Sequence, residues 1–391
     1  MSVTAAAGFS ASGVTAGLKP SGKPDVALVV NEGPLHVAAG VFTSNRVFAA
    51  PVAWSRQVLA DARVDAVVLN SGGANAATGP AGFADTHRTA EHVADALVAS
   101  GRDVSAGDVA VCSTGLIGLR LPMDLLLAGV DSAAAALNVD AGNDAAVAIL
   151  TTDTVTKQAV AGGDGWVVGG MAKGAGMLAP GLATMLCVIT TDAVIDAELA
   201  DAALNEAVRT TINRVDSDGC MSTNDTVLLM ASGASGIAPG DGEFEAALTE
   251  VCAQIARGLI ADAEGATHDI AITVVEATSE DAAEAVARAI SRSNLFKAAV
   301  FGGDPNWGRI ISAAGTVPES QAPFDATNLD VTINGVQVCR ASGVGDDREG
   351  VDLSGREVLV ELNLHAGDAS ATIWTNDLTH DYVHENSAYS T

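Results

Sequence analysis

Basic residues are scarce in this chain: 20 lysines and arginines stand against 48 aspartates and glutamates, a formal net charge of −28 over 391 residues. A field of that sign repels nucleic acid and anionic membrane surfaces, so neither is expected as a partner. Lysine occurs only at positions 19, 23, 157, 173 and 297, which makes a lysine beside a reactive motif informative. Cys112, Cys187, Cys220, Cys252 and Cys339 are odd in number, far apart and mostly flanked by apolar residues, with no CxxC among them. That pattern argues against a disulfide frame or a zinc site and for reduced thiols in a core. Long apolar runs are missing too. A mean hydropathy of +0.30 comes from dispersed alanine, valine and glycine, and no stretch approaches the roughly 18 residues of a membrane span. The opening Met1-Ser-Val-Thr-Ala-Ala-Ala-Gly8 lacks the basic start of a signal peptide. These absences together favour a cytoplasmic location.

The length allows two or three domains, and strand and helix patterns alternate throughout. Lys157 to Lys173 reads as a hairpin turning at Gly162-Gly163-Asp164-Gly165, which delivers Lys173 to the end of its second strand. Met185 to Ile189 has the length and β-branched content of a buried strand. Ile195 to Val215 reads as a helix with Ile195, Leu199, Leu204, Val208 and Ile212 on one face. Phe244, Leu248, Val251, Cys252, Ile255 and Leu259 form another helical stripe, with Cys252 as core filler. Asp269 to Ala277 reads as a strand, and Ser279 caps a helix reaching Ser291. Hairpins mixed with crossovers point to α/β layers rather than a doubly wound sheet.

Within this pattern, residues 173 to 192 set a glycine-rich turn carrying Lys173 against Thr184, which opens the apolar run. A threonine there is ordinarily a well-packing strand residue. A peptide bond leaving a Pro-Gly turn can also be strained and exposed. Cleavage of Ala183–Thr184 would give Thr184 a free α-amine, of unperturbed pKa about 7.7–8.0, beside its own hydroxyl. One residue would then supply both nucleophile and general base.

The string Lys173-Gly-x-Gly-Met-x-x-Pro-x-x-Ala-Thr-Met-Leu186 resembles the signature of the glutamate N-acetyltransferase family, also called ornithine acetyltransferases, which cleave themselves at Ala-Thr. Further similar stretches lie in order along the chain: Gly8–Lys19, Val41–Val52, Ser113–Gly118, Thr151–Thr154, Ser222–Thr226, Glu264–Thr267, Gly303–Arg309 and Asn386–Thr391. Departures are few. Gly73 and Ala77 stand where Asn and Cys are expected, and Ala263 stands where Gly precedes the Glu.

The resemblance implies an α/β sandwich of two β-sheets between helical layers, cleaved into chains 1–183 and 184–391 that stay interlocked, with two of each in the assembly. It also implies acetyl transfer from N-acetylornithine to glutamate, in some members with acetyl-CoA as a second donor, and no metal or cofactor. Thr184 would be the nucleophile, with Ala183–Thr184 the cleavage site. Acyl transfer passes through an oxyanion, and the family places its oxyanion hole at Thr114 and Gly115; the residues alone would also fit an ordinary strand-ending turn. Substrate contacts are implied at Thr151, Lys173, Thr184, Glu264, Asn386 and Thr391. Lys173 suits the shared α-carboxylate as a point charge, and Glu264 suits the δ-ammonium of ornithine. Between Thr151 and Thr152 the sequence does not choose. Thr391, at a terminus that would ordinarily fray, is expected buried at the site.

Other motifs carry less. His380 and His384 have the i,i+4 spacing of a metal-binding helix, but Asp381 replaces the glutamate of that motif and no third ligand is evident. Gly174-Ala-Gly176 lacks the third glycine of a dinucleotide fingerprint, and Pro180 blocks a helix start. Gly303-Asp-Pro-Asn-Trp-Gly308 could cradle an anion; it reads better as a rigid turn in which Asp304 or Asn306 orders its neighbours. Two rival functions stand against acetyl transfer. A self-cleaving aminopeptidase would share the nucleophile, and a non-catalytic nucleotide binder would stay uncleaved.

Overall fold

The computed structural model describes residues 2–179 and 185–388, so Ala183, Thr184 and Thr391 lie outside the described residues. The chain divides into two compact units. One runs to Asn213 and takes in Cys220–Leu259; the other holds Arg214–Gly219 and Ile260–Ser390.

In the first unit, β1 (Phe9–Val14), β2 (Val26–Asn31), β3 (Val37–Phe42), helix α1 (Ala50–Val58), β4 (Ala66–Ser71), α2 (Gly79–Ala99) and β5 (Val109–Thr114) come first. Helices α3 (Met123–Ala135) and α4 (Gly142–Ala148) come next, then the hairpin β6 (Lys157–Gly163) and β7 (Trp166–Lys173). The unit closes with β8 (Leu186–Thr191), α5 (Ala197–Thr210), β9 (Thr226–Ala231) and α6 (Glu243–Ala261). Two sheets result, ordered β1-β2-β4-β5 and β3-β9-β8-β7-β6. The pairs β4/β5 and β8/β9 are parallel.

Strands β2, β4, β5, β8 and β9 are buried at every position, because both faces of each sheet are covered. Val29, Leu69 and Cys112 face Met171, Val188 and Leu228 of the other sheet. On the reverse face Leu28, Val68 and Val111 pack on Val93 and Leu97 of α2 and on Leu126 and Val130 of α3. Gly170 of β7 lies under Val251 and Ile255 of α6, where a Cβ would come within 3.1 Å of each. Layers therefore run helices, sheet, sheet, helices, each buried Leu or Val contributing on the order of 2 kcal/mol.

The second unit contains β10 (Asp269–Ala277), α7 (Glu280–Ser291), α8 (Asn294–Phe301), α9 (Trp307–Ala314), β11 (Asp330–Ile333) and β12 (Val336–Arg340). It continues with β13 (Gly343–Val344), β14 (Glu357–Asn363), β15 (Ala369–Asn376) and α10 (His380–Ala388). Its sheet is ordered β13-β12-β11-β14-β10-β15. Ile270, Ile272, Val358 and Val360 pack on Val286 and Ile290 of α7, while Thr273, Glu357 and Glu361 point to the less buried side.

The α/β class expected from the sequence holds, but the two-sheet count is corrected: the described residues form three sheets. Polar residues at alternate positions of β10 and β14 could not be buried between layers, so these strands build a one-sided sheet of their own. The hairpin, β10 and the Ser279 cap stand as expected, with Ala282 N–H donating to Ser279 Oγ at 3.1 Å. The helix expected over 195–215 is shorter: Asp196 caps it, accepting Leu199 N–H at 2.9 Å, and after Thr210 the chain tightens into a 3₁₀ turn at Ile212–Arg214. Cys112, Cys187, Cys252 and Cys339 are buried free thiols, whereas Cys220 is exposed rather than core. Among the described residues no helix is long and apolar enough to cross a membrane.

Candidate active site

The polar residues of interest in the first unit gather where strand ends meet. Parallel pairing sets Ser71 of β4 opposite Thr114 of β5, and antiparallel pairing sets Lys173 of β7 opposite Leu186 of β8. Those two ends come from different sheets, and Lys173 joins them: its Nζ donates to Thr114 Oγ1 at 3.4 Å. Thr114 and Lys173 are each 2% exposed.

Local backbone geometry explains why glycine comes after Thr114. Gly115 has φ +129°, and a Cβ on it would lie 2.7 Å from Gly73 N. Gly72 and Gly73 both donate to the Thr114 carbonyl at 3.0 Å. Beneath them, Asn70 Oδ1 accepts the Ser113 hydroxyl at 2.6 Å and its Nδ2 donates to Gly73 O at 3.2 Å. Gly73 enters this network through its backbone alone, so its departure from the family pattern leaves the turn intact. The Gly115 amide has no hydrogen-bond partner among the described residues. Thr114 uses its Oγ1 lone pair toward Lys173, which leaves the hydroxyl proton to donate. Adjacent residues thus carry a hydroxyl and an amide that are each available to donate, and an oxyanion hole is built from donors of this kind.

Behind Lys173 lies Asp153, whose side chain is fully buried. Its Oδ1 takes Lys157 Nζ at 2.5 Å and the Gly174 amide at 2.6 Å. Its Oδ2 accepts the Thr151 amide at 3.1 Å and stands 3.9 Å from Lys173 Nζ. Burial opposes ionisation, but Lys173, Lys157 and the Gly174 amide outweigh it and hold this carboxyl at about 2. Thr151 is exposed and is tied to the site through Asp153, its hydroxyl 3.5 Å from Oδ2.

The segment 222–226 braces the other side. Asn224 Nδ2 donates to Ala74 O at 2.5 Å and Ser113 O at 2.8 Å, pinning the turn that carries Thr114. Asp225 is 0% exposed and accepts the Met185 amide at 3.1 Å, while Thr226 N–H donates to Met185 O at 3.2 Å. Met185 is thus held from both sides one residue after position 184. Burial pushes the Asp225 carboxyl well above the usual carboxylate range, against the pull of the Met185 amide, the Ser222 hydroxyl and Lys173.

Of the expected site residues, the structure brings Thr114, Gly115, Lys173 and, through Asp153, Thr151 together in the first unit. Glu264 and Asn386 form a pair in the second, Asn386 Nδ2 donating to Glu264 Oε2 at 2.9 Å. Ala183, Thr184 and Thr391 lie outside the described residues. Asp153, Asn224 and Asp225 were missed as individuals, although their segments stood among the matching stretches. A lone aspartate between threonines gives no periodic signal. Asn306 behaves as expected, capping α9 through Arg309 N–H at 3.3 Å and bonding Asp304 at 2.9 Å. Among the described residues no cluster could hold a metal ion.

Known proteins resemble this chain over its whole length. A family profile described as the ArgJ family matches residues 10–391. The arginine biosynthesis bifunctional protein ArgJ of Streptomyces coelicolor is 63% identical over 390 residues, covering 100% of both chains. That of Mycobacterium leprae is 55% identical over 392 residues, covering 99% of this chain and 95% of its own. Among solved structures, a chain of the ornithine acetyltransferase of Mycobacterium tuberculosis, crystallised with ornithine, is 61% identical with a TM-score of 0.46; the match covers 47% of this chain and 96% of that one.

Proposed function

The chain belongs to the ArgJ family, and from that premise we propose that it is an acetyltransferase of arginine biosynthesis which moves acetyl from N-acetylornithine to glutamate through an acetyl-Thr184 ester. It is a glutamate N-acetyltransferase with amino-acid N-acetyltransferase activity beside it, acetyl-CoA being the second donor. Self-cleavage at Ala183–Thr184 leaves chains 1–183 and 184–391, two of each in the assembly, working in the cytoplasm without metal or cofactor.

The observation that carries this reading is the meeting of Lys173 Nζ with Thr114 Oγ1 at 3.4 Å, beside a Gly115 amide that has no partner among the described residues and opposite Leu186, the first residue of β8. In the first half-reaction the α-amine of Thr184 takes the proton of its own hydroxyl, and Oγ attacks the acetyl carbonyl. Thr114 O–H and Gly115 N–H meet the oxyanion; removing one such donor costs on the order of 10²–10³ in rate. The C–N bond breaks, and ornithine leaves with the proton that the α-amine had taken. Glutamate then attacks the ester by the same path in reverse, and its displaced proton returns to Thr184 Oγ. Lys173, with Nζ 3.9 Å from Asp153 Oδ2, receives the α-carboxylate common to both substrates. Glu264 receives the δ-ammonium of ornithine, and Thr151, Asn386 and Thr391 supply neutral hydrogen bonds.

An aminopeptidase is not favoured, since the relatives matched over full length are arginine biosynthesis proteins. The test is direct. Purified protein given N-acetylornithine and glutamate releases ornithine and N-acetylglutamate in equal amounts; release of acetate with no N-acetylglutamate would mean hydrolysis instead.

A further inference from the structure

One buried carboxylate of the second unit takes no part in these steps. The side chain of Asp377, directly after β15, is fully buried. Its Oδ1 accepts the amides of Thr267 at 2.9 Å and His268 at 3.0 Å. Its Oδ2 accepts the Thr267 hydroxyl and meets His268 Nδ1 at 2.8 Å, while His268 Nε2 reaches Leu353 O at 3.1 Å. A carboxylate is buried only where donors compensate it, and here every donor comes from one short stretch, 267–268.

The neighbouring residues continue the clamp. Thr379 Oγ1 donates to Gly265 O at 2.7 Å and accepts the Tyr382 amide at 3.0 Å, in the first turn of α10. Gly265 has φ +63°, and a Cβ on it would lie 2.3 Å from Tyr382 N, so turn and helix touch backbone to backbone. One helical turn after Tyr382 comes Asn386, whose Nδ2 bonds both Tyr382 O at 3.0 Å and Glu264 Oε2. The distance between Glu264 and Asn386 is therefore set by the Asp377–Thr379 segment.

We propose that Asp377 is a positioning residue for the acyl donor: by fixing the 265–268 turn it holds the Glu264 carboxylate against Asn386, ready to meet a side-chain ammonium. This rests on the reading of Glu264 as the ammonium partner. Thr379 completes the clamp from the helix side.

The test uses the whole chain and steady-state kinetics with two donors, N-acetylornithine and N-acetylnorvaline, which has the same carbon skeleton without the amine. Asp377→Asn keeps one acceptor for the two amides and turns an NH₂ toward His268; Thr379→Val removes the Gly265 contact at nearly constant volume, and carries the test if Asp377→Asn fails to fold. For either variant KM for N-acetylornithine rises about tenfold, kcat stays within about threefold, and kcat/KM for N-acetylnorvaline is unchanged. Folded variants with an unchanged KM for N-acetylornithine, or with equal losses on both donors, would overturn the inference. Absence of transfer by the unaltered chain would instead overturn the functional reading, and this inference with it.

Discussion

The two units handle polar residues in opposite ways. In the first, strands such as β4 and β8 are buried along their whole length, so a polar side chain at a strand end has no water to turn to and must be matched inside. In the second, β14 alternates buried with exposed positions and β10 buried with mostly half-buried ones, and a threonine or glutamate on the open side needs no explanation. A buried polar residue is thus informative in the first unit in a way that it is not on the open face of the second. Thr114, Lys173, Asp153, Asn224 and Asp225 are buried polar groups of the first kind, all at strand ends or in turns at one place.

The largest test of this contrast is chemical. Thr184→Ala is expected to stop both cleavage and acetyl transfer, with at least a thousandfold loss of rate, read by gel and by N-acetylglutamate formation; transfer by an uncleaved variant would end the mechanism. Gly115→Ala attacks the same site through the backbone. A side chain at φ +129° against Gly73 should displace the oxyanion donors and lower kcat about 100-fold, with KM much less affected.

Stability measurements sharpen the comparison further. Leu28→Ala, in a strand covered on both faces, should cost about 2–5 kcal/mol by denaturant unfolding. Leu359→Ala, on the open face of the second unit where the side chain is half-exposed, should cost less than about 1 kcal/mol. Equal losses would mean the two sheets are covered alike.

Charge pairs make the same point. Asp153 is held at about 2, below the unfolded value near 3.9. A depressed carboxyl stabilises fully above the unfolded value, and that contribution is lost as pH falls through the folded one. Wild-type stability should therefore drop by roughly 2 kcal/mol between about pH 5 and pH 1.5 from this group, and Asp153→Asn should flatten that part of the profile. Smallest of all is the exposed Arg209–Glu206 pair at 2.8 Å. Arg209→Ala should shift stability by less than about 0.5 kcal/mol.

Much of this was legible in the sequence, and unevenly so. Periodicity located β8, the β6/β7 hairpin and the Ser279 cap because each obeys local rules. It overran α5 because Ile212 keeps the apolar rhythm while the backbone at Thr211 has already left the helix. The third sheet was not counted, since which faces are covered depends on helices far away in sequence. Thr114, Gly115 and Lys173 were reached through motif resemblance. Asp153 and Asp225 became visible only with their burial and partners, which no residue string displays. Cys220 shows the reverse error: an exposed thiol was counted with core thiols on composition alone.

The central claim is that Thr184, freed at its amine, carries the acetyl group. Intact mass of the denatured protein, taken before and just after mixing with N-acetylornithine, tests it in one measurement. The account requires two fragments, ending at Ala183 and beginning at Thr184, with only the second gaining one acetyl group and losing it when glutamate is added. A single full-length species that still yields N-acetylglutamate would contradict it.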